Sequence, residues 1–176
     1  MFSDVRGFTN LSRIIGMEDL FENLSRLLGE QVDLVHRHGG YIDKFGGDGI
    51  MAIFDGDDMV LSACRCALDI IRRVDTLEKQ EQKFRLPVGI GVAAGPVMIG
   101  NIGSPEHLDY SAIGENVNLA ARLCGHAEAG QILVSESVRE PLSGEESIRF
   151  GRSMQVQIKG FADPVTVYTL RERESG

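Results

Sequence analysis

The sequence predicts an α+β domain built on a mostly antiparallel sheet. Three observations carry that expectation. A short apolar strand at the start is followed by a long helical stretch and then by two strands joined through Gly46-Gly47-Asp48-Gly49. A second long helical stretch leads into a further apolar strand. The last part of the chain alternates apolar and polar residues, as a half-solvated sheet does.

The elements follow in order. Residues 2–5 form the first strand, and residues 6–15 read as a turn-rich connection. A helix is expected over residues 18–37, because Leu20, Phe21, Leu24, Leu27, Leu28, Leu34 and Val35 recur at helical spacing. Gly39-Gly40 stops it. Residues 41–45 and 50–54 read as a hairpin around the glycine-rich turn. After the acidic stretch 55–58, a second helix is expected over 59–83, with Ala63, Ala67, Ile70, Ile71, Val74 and Leu77 inward. Residues 87–94 and 107–113 read as strands flanking a glycine-rich segment, and 115–125 as a third helix. Residues 131–134 form a short strand, and Ser135 is placed to cap a short helix. Met154, Val156 and Ile158, then Val165, Val167 and Tyr168, predict a closing hairpin.

The order strand, helix, two strands, helix, strand is the split βαβ arrangement of ferredoxin-like folds, βαββαβ, with C-terminal strands and helices appended. It places the first strand beside the early hairpin, so Asp4 and Asp48 are expected to be neighbours. No repeat or boundary divides the 176 residues, and residues 1–176 read as one domain. A strand holding Asp4 would ordinarily begin earlier, so the chain is expected to be a piece of a longer protein.

Hydrophobic content of 43% and charged content of 25% suit a globular domain, and no apolar run approaches the length of a membrane span. The formal charge of −8 argues against a nucleic-acid surface, which needs a basic stripe. It leaves room for one anionic nucleotide held by local cations and metals. Cys64, Cys66 and Cys124 show no disulfide spacing, which predicts reduced thiols and a cytoplasmic setting. Cys64 and Cys66 lie two apart on a helix and read as packing residues. His36 and His38 share that spacing at a helix end, where an imidazole can meet free carbonyls.

The chemistry-bearing residues begin with Asp4 and Asp48. Each stands where an apolar strand breaks into a glycine-containing turn. Two such carboxylates on neighbouring strands make a hard oxygen site, suited to Mg²⁺ with phosphates completing the shell. Taken singly, each is an ordinary turn aspartate. Asn118 and Arg122 are four apart and share a helix face, with Ser111 just before that helix. Lys44 precedes Asp48 by four residues, and Lys159 stands in a C-terminal turn. Each alone has a plain explanation as a local cap, a surface ion pair or a solvated strand residue. Together they form a kit for phosphoryl transfer, a chemistry of positioning and charge neutralisation.

These segments resemble the catalytic domain of the class III adenylate and guanylate cyclases, on its serine/threonine-type bacterial-like branch. Phe2-Ser3-Asp4-Val5-Arg6-Gly7-Phe8-Thr9 resembles the first metal-site strand and phosphate loop, and residues 44–52 the second metal segment. Residues 101–104 and 111–122 resemble the hairpin arm and following helix, and Gln157-Ile158-Lys159-Gly160 the final basic turn. The matches run in family order from residue 2 to about residue 170.

The resemblance implies two Mg²⁺ ions, with Mn²⁺ able to substitute, held by Asp4, Asp48 and the backbone carbonyl of Val5. Amides around Gly7, Phe8 and Thr9 would cradle phosphates. A second copy of the chain would supply Lys44 and Ser111 to read the base, Asn118 for the ribose, Arg122 for the α-phosphate and Lys159 for the terminal phosphates. It thus implies a homodimer with two shared sites, ATP as substrate, and a regulatory domain or segment elsewhere in the parent protein. Lys44 only donates hydrogen bonds, which suits adenine N1 and opposes guanine N1–H. Ser111 both donates and accepts and decides less. Many relatives carry a basic residue where Pro87 or Gly89 stands here, and Arg85 is close by.

Three rival readings remain. A guanylate cyclase is the closest. A diguanylate cyclase would share the Gly46-Gly47-Asp48 turn, but Gly49-Ile50 replaces its acid and aromatic, and Asn118 and Arg122 go unexplained. A silent cyclase-like regulatory dimer would be expected to lose a metal aspartate or the Asn/Arg pair, and all are present.

Overall fold

The computed structural model describes residues 1–81, 85–104 and 106–173. Strand β1 (Phe2–Val5) turns at Gly7, φ 69°, into a short helix α1 (Phe8–Ile14). The sequence reading of this stretch as a connection misses α1. The left-handed Gly7 lets its carbonyl accept from both Asn10 and Leu11 N–H, which starts a helix. Helix α2 (Met17–Arg37), strands β2 (Tyr41–Gly46) and β3 (Gly49–Ile53), helix α3 (Met59–Gln80) and strand β4 (Val88–Val92) complete the first half. Strands β5 (Met98–Ser104) and β6 (His107–Ile113), helix α4 (Glu115–His126), strand β7 (Ile132–Ser135) and helix α5 (Glu136–Arg139) follow. A 3-10 turn (Glu140–Leu142) then leads to β8 (Ile148–Phe150), β9 (Met154–Val156) and β10 (Val165–Glu172).

The main sheet runs β2-β3-β1-β4-β7-β10-β8, with β9 also on β10. Strand β1 is antiparallel to both β3 and β4, the split βαβ order the sequence predicts. Of the described pairings only β4 with β7 is parallel. The fold is α+β with a mixed, mostly antiparallel sheet and flanking helices. Among the described residues, strands β5 and β6 pair only with each other, as a separate two-stranded ribbon.

Side-chain alternation along β4 sorts the layers. Val88, Ile90 and Val92 face the larger core, where α2 and α3 contribute Leu27, Val35, Ile70 and Leu77. Gly89 and Gly91 face α4 instead. A smaller core under α4 gathers Leu119, Leu123, Leu133, Ile158 and Val167.

Several local expectations need correction. Phe21 is 75% exposed, because it lies off the α2 stripe that buries Leu20, Leu27 and Leu34. Helix α3 ends at Gln80, and residues 82–83 of the expected helix lie outside the described residues. Ile158 is fully buried but follows β9 in a turn. Ser135 stands at the cap of α5, yet its hydroxyl pairs with Ser137 Oγ at 2.8 Å rather than with backbone. His38 Nε2 meets Asp69 Oδ2 at 2.8 Å, not a helix carbonyl. The three cysteines are buried free thiols, and burial pushes Cys64 and Cys66 up to about 12. No described helix is long and apolar enough to cross a membrane.

The tightest constraint is the approach of α4 to β4. A Cβ on Gly91 would lie 2.2 Å from Cys124 N and 2.3 Å from Ala120 O. Both are backbone atoms, so no rotamer change relieves the clash. Gly91→Ala is expected to destabilise the domain by about 1–3 kcal/mol, the usual cost of overpacking. Urea unfolding measures it; an unchanged midpoint would show that α4 moves away freely.

Candidate active site

Asp4 pairs with Gly49 on one side and Gly89 on the other. Both glycines are needed for space. A Cβ on Gly49 would lie 2.4 Å from Ser3 O and 2.8 Å from Asp4 Oδ1. A Cβ on Gly89 would lie 2.9 Å from Ala127 O and 3.2 Å from Arg6 Cδ. The β2–β3 turn, with Gly47 at φ 66°, brings Asp48 to Asp4. Burial, and then the charge of Asp48, raise the Asp4 carboxyl above its ordinary value, while Arg6 opposes the rise.

Asp4, Val5, Gly7, Phe8, Thr9 and Asp48 line one cleft of about 380 Å³, together with Arg6 and Asn10. The predicted metal ligands and phosphate loop therefore come together. Gly7 and Thr9 are exposed, and Phe8 and Thr9 open helix α1, where N–H groups have no carbonyl one turn earlier. The donor set fits a hard divalent cation. Two carboxylates crowd each other, and a cation between them would remove the repulsion. No third acid, histidine or cysteine joins them among the described residues. Remaining ligands would be backbone, water or phosphate oxygens, as Mg²⁺ prefers.

Arg6 was not singled out in the sequence. Its guanidinium donates to Asp4 Oδ2 at 2.9 Å, Cys124 O at 3.0 Å and Ala127 O at 3.3 Å. Its backbone N–H donates to Pro87 O at 2.7 Å. Arg6 thus occupies the space over Gly89, next to the position where a basic side chain was expected and not found. Arg85 is exposed at the surface. The signal in the sequence was Arg6 inside the Asp4 motif, with Gly89 later leaving space for it.

Lys44 and Ser111 also come together, through a residue the sequence reading passed over. Ser111 Oγ donates to Asp43 Oδ2 at 2.9 Å, and Ala112 N–H donates to Asp43 Oδ1 at 3.1 Å. Lys44 Nζ lies 3.6 Å from Asp43 Oδ2 and 3.6 Å from Asp109 Oδ2. Ser111 is 2% exposed, while the Lys44 side chain is 44% exposed and shares a cavity of about 270 Å³ with Asp4 and Cys124.

Asn118, Arg122 and Lys159 are different. All three are exposed, and among the described residues none makes a side-chain hydrogen bond or an ion pair. None lines the cleft of Asp4 and Asp48. One chain gathers the acids and the loop but not Asn118, Arg122 or Lys159.

Comparisons with known proteins identify the family. Residues 1–172 match the family model described as the adenylate and guanylate cyclase catalytic domain. The chain belongs to that family. It is similar to an adenylate cyclase of Anabaena cylindrica, 34% identical over 182 residues, covering 97% of this chain and 36% of that protein. The crystal structure of the adenylyl cyclase CyaB from P. aeruginosa superposes with TM-score 0.90 at 32% identity, covering 98% of this chain and 92% of that one. The guanylyl cyclase Cya2 superposes with TM-score 0.86, also at 32% identity, covering 96% and 88%. The cyclase domain described here spans about a third of the first curated relatives, 31% of their length.

The crowding of Asp4 and Asp48 has a measurable sign. A raised folded-state carboxyl pKa favours the fold below the unfolded pKa, and that contribution is lost as pH rises through the folded pKa. The metal-free domain should therefore lose stability as pH rises through the Asp4 titration. In Asp48→Asn the Asp4 carboxyl should titrate lower, only partway to its ordinary value because burial remains, and the pH slope should flatten. Carboxyl NMR titration and urea unfolding across pH measure both. An unmoved Asp4 titration would rule out the repulsion.

Proposed function

We propose that this domain is an adenylate cyclase, converting ATP to 3′,5′-cyclic AMP and pyrophosphate at sites shared between two copies of the chain. One observation carries the reading: the acids and phosphate loop line one cleft, while Asn118, Arg122 and Lys159 stand exposed and unpaired elsewhere on the described surface. A second copy brings the two halves together. The β5–β6 ribbon supports this, because Met98, Tyr110 and Ile113 leave apolar surface that a symmetric contact would cover.

In the reaction the ribose 3′-oxygen attacks the α-phosphorus, its proton is lost, and the bond to the β-phosphate oxygen breaks. Mg²⁺ or Mn²⁺ held by Asp4, Asp48 and the Val5 carbonyl would supply Lewis acidity to the 3′-hydroxyl and neutralise the triphosphate. Amides of Gly7, Phe8 and Thr9 cradle phosphate oxygens. Asn118 of the second copy orients the ribose, Arg122 meets charge developing on the α-phosphate, and Lys159 meets the terminal phosphates. Lys44, a donor only, faces adenine N1 and Ser111 faces the N6 edge. A regulatory segment in the parent protein and a cytoplasmic location complete the reading.

GTP is the second reading, favoured by the comparable likeness to the guanylyl cyclase Cya2. Purified protein with ATP or GTP, under Mg²⁺ and under Mn²⁺, separates the two. Cyclic AMP should dominate, and equal or faster cyclic GMP formation would overturn the base assignment. Lys44→Glu should move the preference toward GTP. Asp48→Asn should cost at least about 100-fold in kcat, comparable to losing a key charge-stabilising group, with the fold retained. Mixing inactive Asp4→Asn with inactive Arg122→Ala should restore activity, since one composite site regains every group. No rescue in demonstrated heterodimers would refute sharing.

A further inference from the structure

The hydrogen bonds around Asp43 address a question that the side chain of Ser111 leaves open. Asp43 stands where the β2–β3 register slips between Ile42 and Lys44. Such a bulge re-aims a side chain. Here it turns Asp43 away from its own hairpin and toward the β5–β6 ribbon, where its side chain is 2% exposed. Both carboxylate oxygens are engaged there. Oδ1 accepts from Ala112 N–H, and Oδ2 accepts from the Ser111 hydroxyl. Lys44 Nζ lies on the Oδ2 side at 3.6 Å.

We propose that Asp43 is a positioning residue that sets base preference by fixing the polarity of Ser111. A serine hydroxyl has one proton. A carboxylate can only accept, so Ser111 gives that proton to Asp43. What remains on Ser111 Oγ is lone pairs, and toward a nucleotide the oxygen acts as an acceptor. Beside it, Lys44 is a donor. An acceptor next to a donor complements the N6–H and N1 edge of adenine. It mismatches guanine, whose O6 accepts and whose N1–H donates. The selectivity thus resides in a carboxylate that touches no substrate. Ser111 is closed off in the single chain, so base reading requires the ribbon to open, and the Ala112 bond ties Asp43 to that ribbon.

This inference rests on the base-reading role proposed for Lys44 and Ser111. The decisive variant is Asp43→Asn. Its single carbonyl oxygen is claimed by Ala112 N–H, which leaves the amide NH₂ facing Ser111. Ser111 must then accept inward, and its own proton is released to donate outward, toward a guanine O6.

The measurement is kcat/KM for ATP and for GTP, on wild type, Asp43→Asn, Ser111→Ala and the double variant, with melting temperature as a check on folding. Asp43→Asn should lower the ATP to GTP ratio by about tenfold, the worth of one good hydrogen bond to a base edge. Ser111→Ala should also lower it, and adding Asp43→Asn to Ser111→Ala should change the ratio no further. Asp43→Asn lowering both nucleotides in proportion would overturn the inference, leaving Asp43 a structural tie. If Asp43→Asn does not fold, an unchanged ratio in Ser111→Ala overturns it equally. Lys44→Glu keeps the two levels apart. If that variant shifts the preference and Asp43→Asn does not, base reading stands and the Asp43 role falls. If neither shifts it, base reading itself falls.

Discussion

Asp4 is held between two glycines, and the cleft is arranged around that strip of backbone. Strand β1 is antiparallel to β3 and β4 at once, so Asp4 has Gly49 on one flank and Gly89 on the other. Neither flank could carry a side chain on that face without striking Asp4, Ser3 O, Arg6 or Ala127. The space saved on the Gly49 side holds a carboxylate, and on the Gly89 side an arginine. Arg6 then bonds the Asp4 carboxylate and the carbonyls of Cys124 and Ala127 together. The rigid fork of a guanidinium suits that task in a way a lysine would not.

The consequence reaches α4. That helix is packed against Gly91 with no space for a methyl group, and its C-terminal carbonyls are tied to Arg6. Asn118 and Arg122 ride on the same helix, one turn apart. Their placement relative to Asp4 of the same chain is therefore fixed by backbone contact, not by flexible side chains. The β2–β3 hairpin has a similar double duty. Its turn carries Asp48, its bulge carries Asp43, and between them stands Lys44. A movement of this hairpin would disturb the acid pair and the Lys44–Asp43–Ser111 cluster together.

The parts legible in the sequence were those written in local pattern. The glycine turn around Asp48, the helical stripe of α2 and the strand order that puts β1 beside β3 all depend on nearby residues or on chain order. The parts that were not legible are contacts between distant segments. Asp43 meets Ser111 across 68 residues, and Arg6 meets Cys124 across 118. Phe21 fits the helical spacing of its neighbours, yet spacing cannot say how wide the buried stripe is, and Phe21 falls outside it. The glycine at position 89 read as a missing cation, because sequence alone could not show Arg6 lying across it. The candidate residues Asp4, Asp48, Lys44 and Ser111 were nameable in advance; what holds each of them was not.

Charge gives a physical reason for the proposed division of the site between two copies. The chain carries a net −8, and a cation placed beside Asp4 and Asp48 would pair with them directly. Arg6 does so already, and its other bonds run to helix carbonyls that hold it in place. Had Arg122 or Lys159 shared the cleft in the same chain, its charge would be spent on the acids before any phosphate arrived. Held exposed on a rigid helix and in a turn, these groups keep their charge unneutralised by the described residues. Exposed charges of this kind contribute little to folding. They become strong only where water is excluded and an anion lies between the two copies. On the proposed reading, Arg122 and Lys159 stay unneutralised by the described residues at little cost to folding, and a triphosphate is the group that would reward bringing them to the acids.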